Sequence, residues 1–200
     1  MKRRTLFLSI IVAGIAGATA FGWMTTRRGF SARDNPSAME AYVARAARKL
    51  SVPASERNAK NPYPPTPETL SEARSHFADH CATCHGNDGS GKTEIGQHLY
   101  PKPPDMRQPE TQNLTDGEMY YIIHNGIRLT GMPAWGEPGK DDDSWKLVLF
   151  IRHLPQMTPQ EMKEMEQFNP KSAAERSEEE DEQRFLNEGE APETKRKMHH

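Results

Sequence analysis

Cys81-Ala82-Thr83-Cys84-His85-Gly86 holds the only two cysteines of the chain, with a histidine directly after the second. On a helical turn, the residues three and four positions after Cys81 share its face. Two thiols placed this way can form thioethers to the vinyl groups of a haem, while the adjacent imidazole meets the iron from one side. One turn of backbone then fixes the porphyrin and its proximal ligand together. Gly86 carries no Cβ to obstruct the ring. Two other chemistries use such a pair. A structural zinc site usually needs four Cys or His ligands, and no second cysteine pair exists. A thioredoxin-like dithiol belongs in a βαβ setting, which this sequence does not offer. Covalent attachment of one haem c through Cys81 and Cys84, with His85 as an iron ligand, is the expectation.

The iron then needs a sixth ligand or an open position. Gly131-Met132-Pro133-Ala134-Trp135-Gly136 is a loop in which Gly and Pro rule out regular structure. Met132 there can present a thioether sulfur, a soft donor that suits a low-spin haem and raises its potential relative to nitrogen donors. The plain alternative is a core gap-filler. Met106, in a proline run, and Met119, on a helix core face, are other candidates, as are His98 and His124. His124 shares a helix face with Tyr120, away from the isoleucines, and reads as solvent-exposed.

These residues must be positioned by helices, because no strand pattern of any length is present. Thr66-Pro67-Glu68 opens the first, a cap followed by Pro at the first helical position. Leu70, Ala73, Phe77 and Cys81 follow at three- and four-residue steps, so the cysteine run extends its buried face. A Gly-rich loop over 87–91 and the run Tyr100-Pro101-Lys102-Pro103-Pro104 come next. The prolines exclude helix interior and suit a rigid wall beside a haem. Thr115 and Glu118 form a capping box with Leu114 and Met119 as the staple. Met119, Ile122, Ile123 and Ile127 make the buried face, and Gly126 is the stop. Asp141-Asp142-Asp143-Ser144 opens a third helix filled by Trp145, Leu147, Val148, Leu149, Phe150, Ile151 and Leu154, which Pro155 ends. Thr158-Pro159 starts a short one to about residue 168.

Ahead of these elements, Lys2-Arg3-Arg4 precedes an uncharged stretch from Thr5 to Thr26, about the length a bilayer core requires. Positive charge before the stretch puts the N-terminus inside and the remainder outside. Ala18-Thr19-Ala20 also fits a signal-peptide cleavage site. Apolar character continuing through Phe21 and Trp23 favours an uncleaved anchor. Asn35 and Pro36 read as the start of a helix carrying Met39, Tyr42 or Val43, Ala46 and Leu50 on one face. Residues 51–65 read as an extended, Pro-rich linker. Residues 27–60 are rich in Lys and Arg, as a solvated connector or a segment resting on lipid would be. After Lys171 the chain is dominated by Glu, Lys and Arg and should be disordered. His199 and His200 carry no assigned role.

Composition bounds the rest. Hydrophobic residues make up 34% of 200 positions, much of them in the N-terminal stretch, so a domain near 100 residues has a thin core that a buried haem would supplement. The formal charge of −2 and the lack of a basic patch with interleaved aromatics give no sign of nucleic-acid binding.

Residues 66–168 resemble a class I cytochrome c domain: helix, Cys-x-x-Cys-His-Gly, proline-rich loop, middle helix, Gly-Met-Pro loop, closing helix. They are similar in style to single-haem bacterial domains fused to or serving terminal oxidases and periplasmic dehydrogenases. The resemblance implies thioethers at Cys81 and Cys84, axial ligation by His85 and Met132, and the first helix packed on the last. Phe77 would meet Trp145 or Leu149, and a carbonyl within Pro101–Pro104 would accept from the free nitrogen of His85.

The expected architecture is all-α, with four parts: a membrane anchor or signal peptide over 1–28, a short helix and linker over 29–65, a cytochrome c-like haem domain over 66–168, and a charged disordered tail over 169–200. The expected activity is electron transfer between redox partner proteins outside the cytoplasmic membrane, with no small-molecule substrate and no catalytic residues. If the N-terminus is cleaved, the protein is soluble in the periplasm. Lys102, Arg128 and Trp135 are candidates to meet propionates or a docking partner. A fixed haem subunit of an oxidase or dehydrogenase is the alternative, followed by a ligand-binding sensor or a catalytic haem protein.

Overall fold

The computed structural model describes residues 2–29, 31–137, 139 and 141–188; among them no β-strand occurs and helices dominate. Helix α1 (Lys2–Arg28) contains a 24-residue segment, Arg4–Arg27, long and apolar enough to cross a bilayer, none of it covered by the rest of the chain. At its far end the Arg27 guanidinium lies 4.1 Å over the Trp23 ring, a cation–aromatic pair of the kind found at membrane interfaces.

Helix α2 (Ala38–Ser51) starts two residues later than Asn35-Pro36 suggested. Ser37 is the cap: its hydroxyl accepts from Glu40 N, and the Glu40 carboxylate accepts from Ser37 N at 2.8 Å. This reciprocal pair satisfies two otherwise orphaned donors, which a cap at Asn35 could not match. Asn35 instead accepts from Lys102 Nζ at 2.8 Å. Residues 51–65 are not an extended linker. Val52 is buried, α3 (Ala54–Arg57) forms a short turn, and Gly117 lies directly against the Glu56 carbonyl. Any side chain at position 117 would push α3 away. Asn61 Nδ2 donates to the Trp145 carbonyl at 2.8 Å, and Tyr63 packs on the core.

The core lies between α4 (Pro67–His76) and α9 (Asp142–His153), the first and last long helices of the domain, as expected. Thr66 caps α4 and Pro67 is its first residue. Phe77 is fully buried, but its ring partner is Phe150, with centroids 5.0 Å apart, in place of Trp145 or Leu149. Trp145 is taken by Tyr120, stacked at 4.2 Å, and Leu149 lies at the core's edge.

Between these helices lie α5 (Ala82–His85), α6 (Glu94–Gln97), α7 (Pro109–Gln112) and α8 (Asp116–Asn125). Helix α8 opens with the expected Thr115–Glu118 capping box and ends before Gly126 at φ 66°. Met119 and Ile123 are buried, Ile122 and Ile127 only half-buried, and Tyr120 is buried, so the core face is rotated toward Tyr120. Arg152, near the end of α9, donates to the Gln112 and Leu114 carbonyls and pairs with Asp116 Oδ1 at 2.8 Å, fastening α9 to the start of α8.

Helix α10 (Pro159–Met165) follows with its own capping box and buries Met165. Within the tail, residues 173–188 depart from the expected disorder and form α11 (Ala173–Glu188). Ser172 and Glu175 exchange capping hydrogen bonds, Lys171 pairs with Glu179, and glutamate is a good helix former. The rest of the tail, 189–200, lies outside the described residues.

Candidate haem-attachment site

The run that carries the chemistry follows α4 without a break, but not as one regular helix. Residues Phe77–Cys81 form a wider π-helical turn, and α5 then continues through Cys84 and His85. Such a turn shifts the register of everything after it, and π-turns recur at functional positions. The carbonyls of the attachment turn are satisfied locally. Gly86 N donates to Ala82 O at 2.7 Å, Thr93 Oγ1 to Cys84 O at 3.1 Å, and Gly91 N to His85 O at 2.7 Å. Gly86 sits at φ 75°, a conformation that side chains disfavour, so it is required by the backbone turn rather than only by access for a ring. Gly96 of α6 lies against the Cys84 carbonyl, and a Cβ there would collide with it. The turn is thereby clamped from the side.

Cys81 and Cys84 are half-buried thiols, not joined in a disulfide. Burial, with Cys84 as a lesser contribution, pushes the Cys81 thiol up to about 12, and burial also raises Cys84. That is the reverse of the lowered thiol pKa a redox dithiol needs. Among the described residues no group of three or more Cys, His, Asp or Glu converges on a point a metal ion could occupy.

His85 is 8% exposed, and burial holds its imidazole down to about 4, so the ring is neutral at physiological pH. Its Nδ1 is buried without a hydrogen-bond partner. The expected acceptor from the proline wall is therefore not engaged, although the Pro103 carbonyl lies close by against Gly91. A neutral, enclosed imidazole beside two protonated thiols is the donor set that covalent haem attachment calls for, and the residues present fit that group.

Met132 lies half-buried on the loop after α8, with its carbonyl accepting from Ile127 N at 3.1 Å and its amide donating to Thr130 Oγ1 at 3.1 Å. The neighbouring Gly131 rests against the Leu99 side chain, just after α6, so this loop and the clamped attachment turn border the same short helix. Met106 and Met119 are in the core, and His98 is exposed, with its Nδ1 bonded to the Glu94 carbonyl at 2.8 Å.

His124 departs from its expected exposure. It is half-buried, stacks on Tyr120 at 5.1 Å, and its Nδ1 is buried without a partner beneath Gly136. The close Gly136 backbone covers a face that helix periodicity alone leaves open. Sequence reasoning also missed His76 and His80. His80 stacks on Trp135 at 5.3 Å and meets the His76 ring edge-on at 4.8 Å, making an aromatic flank beside the attachment turn. Their four-residue spacing was the available signal. Of the other surface candidates, Lys102 is tied to Asn35, and Arg128 is exposed.

Residues 68–151 match the family model for cytochrome c oxidase, cbb3-type, subunit III. No curated protein matches. Among solved structures, a chain of the Kuenenia stuttgartiensis reducing HAO-like protein complex is similar at 22% identity and a TM-score of 0.43, with 46% of each chain covered. The match over 68–151 spans α4, the Cys81–His85 turn, α8 and most of α9, and this chain carries a c-type cytochrome domain of all-α fold.

Proposed function

We propose that this protein is an electron carrier, with one haem c tethered by Cys81 and Cys84, His85 and Met132 as axial ligands, and the domain held outside the cytoplasmic membrane by α1. The observation that carries the reading is the attachment turn: two protonated thiols and a neutral, enclosed imidazole on one clamped stretch of backbone, inside the region that matches a cytochrome family. Bound there, the haem supplies one-electron chemistry through the ferric and ferrous states of its iron. The chain's residues do the remainder. The two cysteines prevent loss of the group, His85 offers a nitrogen lone pair without first shedding a proton, and Met132 offers a soft sulfur. With His85 and Met132 both holding the iron, no open position would be left for a substrate, and the partners would be redox proteins. Lys2, Arg3 and Arg4 at the start of α1 support the orientation, and Arg27 and Arg28 at its other end narrow the charge asymmetry without reversing it.

Visible-absorption redox titration of the haem-loaded full chain tests this. A low-spin spectrum is expected, and Met132→Ala keeps the haem attached while lowering the potential and admitting carbon monoxide. An unchanged potential in Met132→Ala would move the sixth ligand elsewhere, and rapid carbon monoxide binding by the unaltered protein would overturn the carrier reading. A second reading has one observation in its favour: the matching family is described by an oxidase subunit. In that case the domain is a fixed electron-entry module, and it co-purifies stoichiometrically with its partners after mild detergent extraction.

A further inference from the structure

Met39, Tyr42, Val43 and Leu50 recur along α2 at helical spacing, and each is more than half exposed, from 55% at Val43 to 83% at Leu50. No residue of α2 is buried. An apolar stripe this long on an otherwise polar helix normally faces a core. Here the opposite side of the helix faces the haem domain. Arg48 and Val52 line a cleft shared with Leu114 and Glu118. Arg57 Nη2 donates to the Lys49 and Val52 carbonyls, at 2.6 and 3.0 Å, and fixes the end of α2. Tyr100 Oη donates to Glu40 Oε1 at 3.3 Å near its start. Turning α2 to bury its stripe would break both ties, so the stripe is held facing outward.

We infer that this outward face of α2 lies on a lipid surface, that of the bilayer entered by α1, and sets the orientation of the haem domain to it. The inference rests on the reading of α1 as an anchor. The tether selects lipid over other occupants. Residues 29–37 are all that separates α1 from α2, and nine residues reach at most about 30 Å. Helix α2 therefore stays within that distance of the membrane interface marked by Trp23 and Arg27. The charges agree. Of the cations of α2, Arg48 faces Glu118 in the cleft, whereas Arg45 and Lys49 at the cleft's rim stay exposed to meet headgroups, and the single acid, Glu40, is engaged by Ser37. A basic helix with an apolar stripe is the pattern of a helix lying in the headgroup region, its apolar side sunk by about 5–10 Å.

The test uses the full-length, haem-loaded chain in vesicles of phosphatidylethanolamine and phosphatidylglycerol doped with a diazirine-bearing phospholipid. Photolabelled positions are mapped by peptide mass spectrometry. Labels are expected on α1 and on Met39, Tyr42, Val43 and Leu50. The doubly substituted Val43→Asp/Leu50→Asp chain should lose the α2 label about tenfold while keeping that of α1, because carboxylates leave the acyl boundary. Both positions are exposed, so the fold tolerates the change, and an unchanged haem spectrum checks it. Label on α1 alone would overturn the inference and leave the anchor standing. Label on α2 alone would remove the anchor, and with it the inference that rests on it. Label on neither would overturn both.

Discussion

Helices α2 and α8 begin in the same way and end in opposite surroundings. Each opens with a reciprocal capping box, Ser37 with Glu40 and Thr115 with Glu118, and each carries large apolar side chains at helical spacing. Helix α8 buries Met119, Tyr120 and Ile123, whereas α2 buries nothing. Local chemistry therefore decides where a helix starts, and the partner in space decides what its apolar stripe is worth. For α8 that partner is α9; for α2 the haem domain supplies only a polar contact on the other side.

The largest effect expected from breaking the buried side of this contrast falls on the turn that α4 carries. Cys81→Ala or Cys84→Ala should lose most of the haem-stained protein on a denaturing gel, and a fully haem-loaded variant would remove thioether attachment from the account. Next comes packing. Phe77→Ala leaves a hole against Phe150 and should cost about 3–5 kcal/mol in denaturant unfolding, whereas Leu50→Ala should stay within about 0.5 kcal/mol of the parent chain in detergent solution. Equal losses would erase the distinction between the two helices.

The caps give a smaller contrast. Thr115→Ala should cost about 1 kcal/mol without moving the haem spectrum, since Thr115 also donates to the Arg57 carbonyl at 2.7 Å and joins α8 to α3. Ser37→Ala should leave the melting of the haem domain unchanged, because it frays a helix that the core does not use. The smallest effect is electrostatic. The hydrogen-bonded Arg107 guanidinium beside Asp105 holds its carboxyl down to about 2, below the ordinary 3.8. A depressed folded-state value means the pair's stabilisation is present above about 3.8 and is lost as pH falls toward about 2. Asp105→Asn should flatten the fall in Tm across that window, and an unaltered acid limb would show that the pair contributes nothing.

The signals legible in the sequence were those whose cause is local. Thr66-Pro67, Thr115 with Glu118, and Thr158-Pro159 each announce a helix start through groups within three residues, and each is a start. The attachment run is likewise self-contained. What local signals did not reveal depends on distant backbone. Glu56 against Gly117 turns a proline-rich stretch into a docked segment, and Gly136 over His124 covers an imidazole that periodicity leaves exposed. The pairing of Phe77 with Phe150 likewise depends on how α4 crosses α9. The charged tail shows the limit of composition: low apolar content predicts no core contact, and α11 is exposed, but glutamate-rich sequence with a capped start still favours helix.

The measurement that bears most directly on the account is the mass of the tryptic peptide spanning residues 75–92, which holds Cys81, Cys84 and His85 and no internal Lys or Arg. From protein matured in a host that exports and assembles c-type haem, that peptide is predicted to carry the added mass of one haem with neither thiol open to alkylation. The same peptide recovered at its bare mass, with both cysteines alkylated, would contradict the claim on which every other conclusion rests.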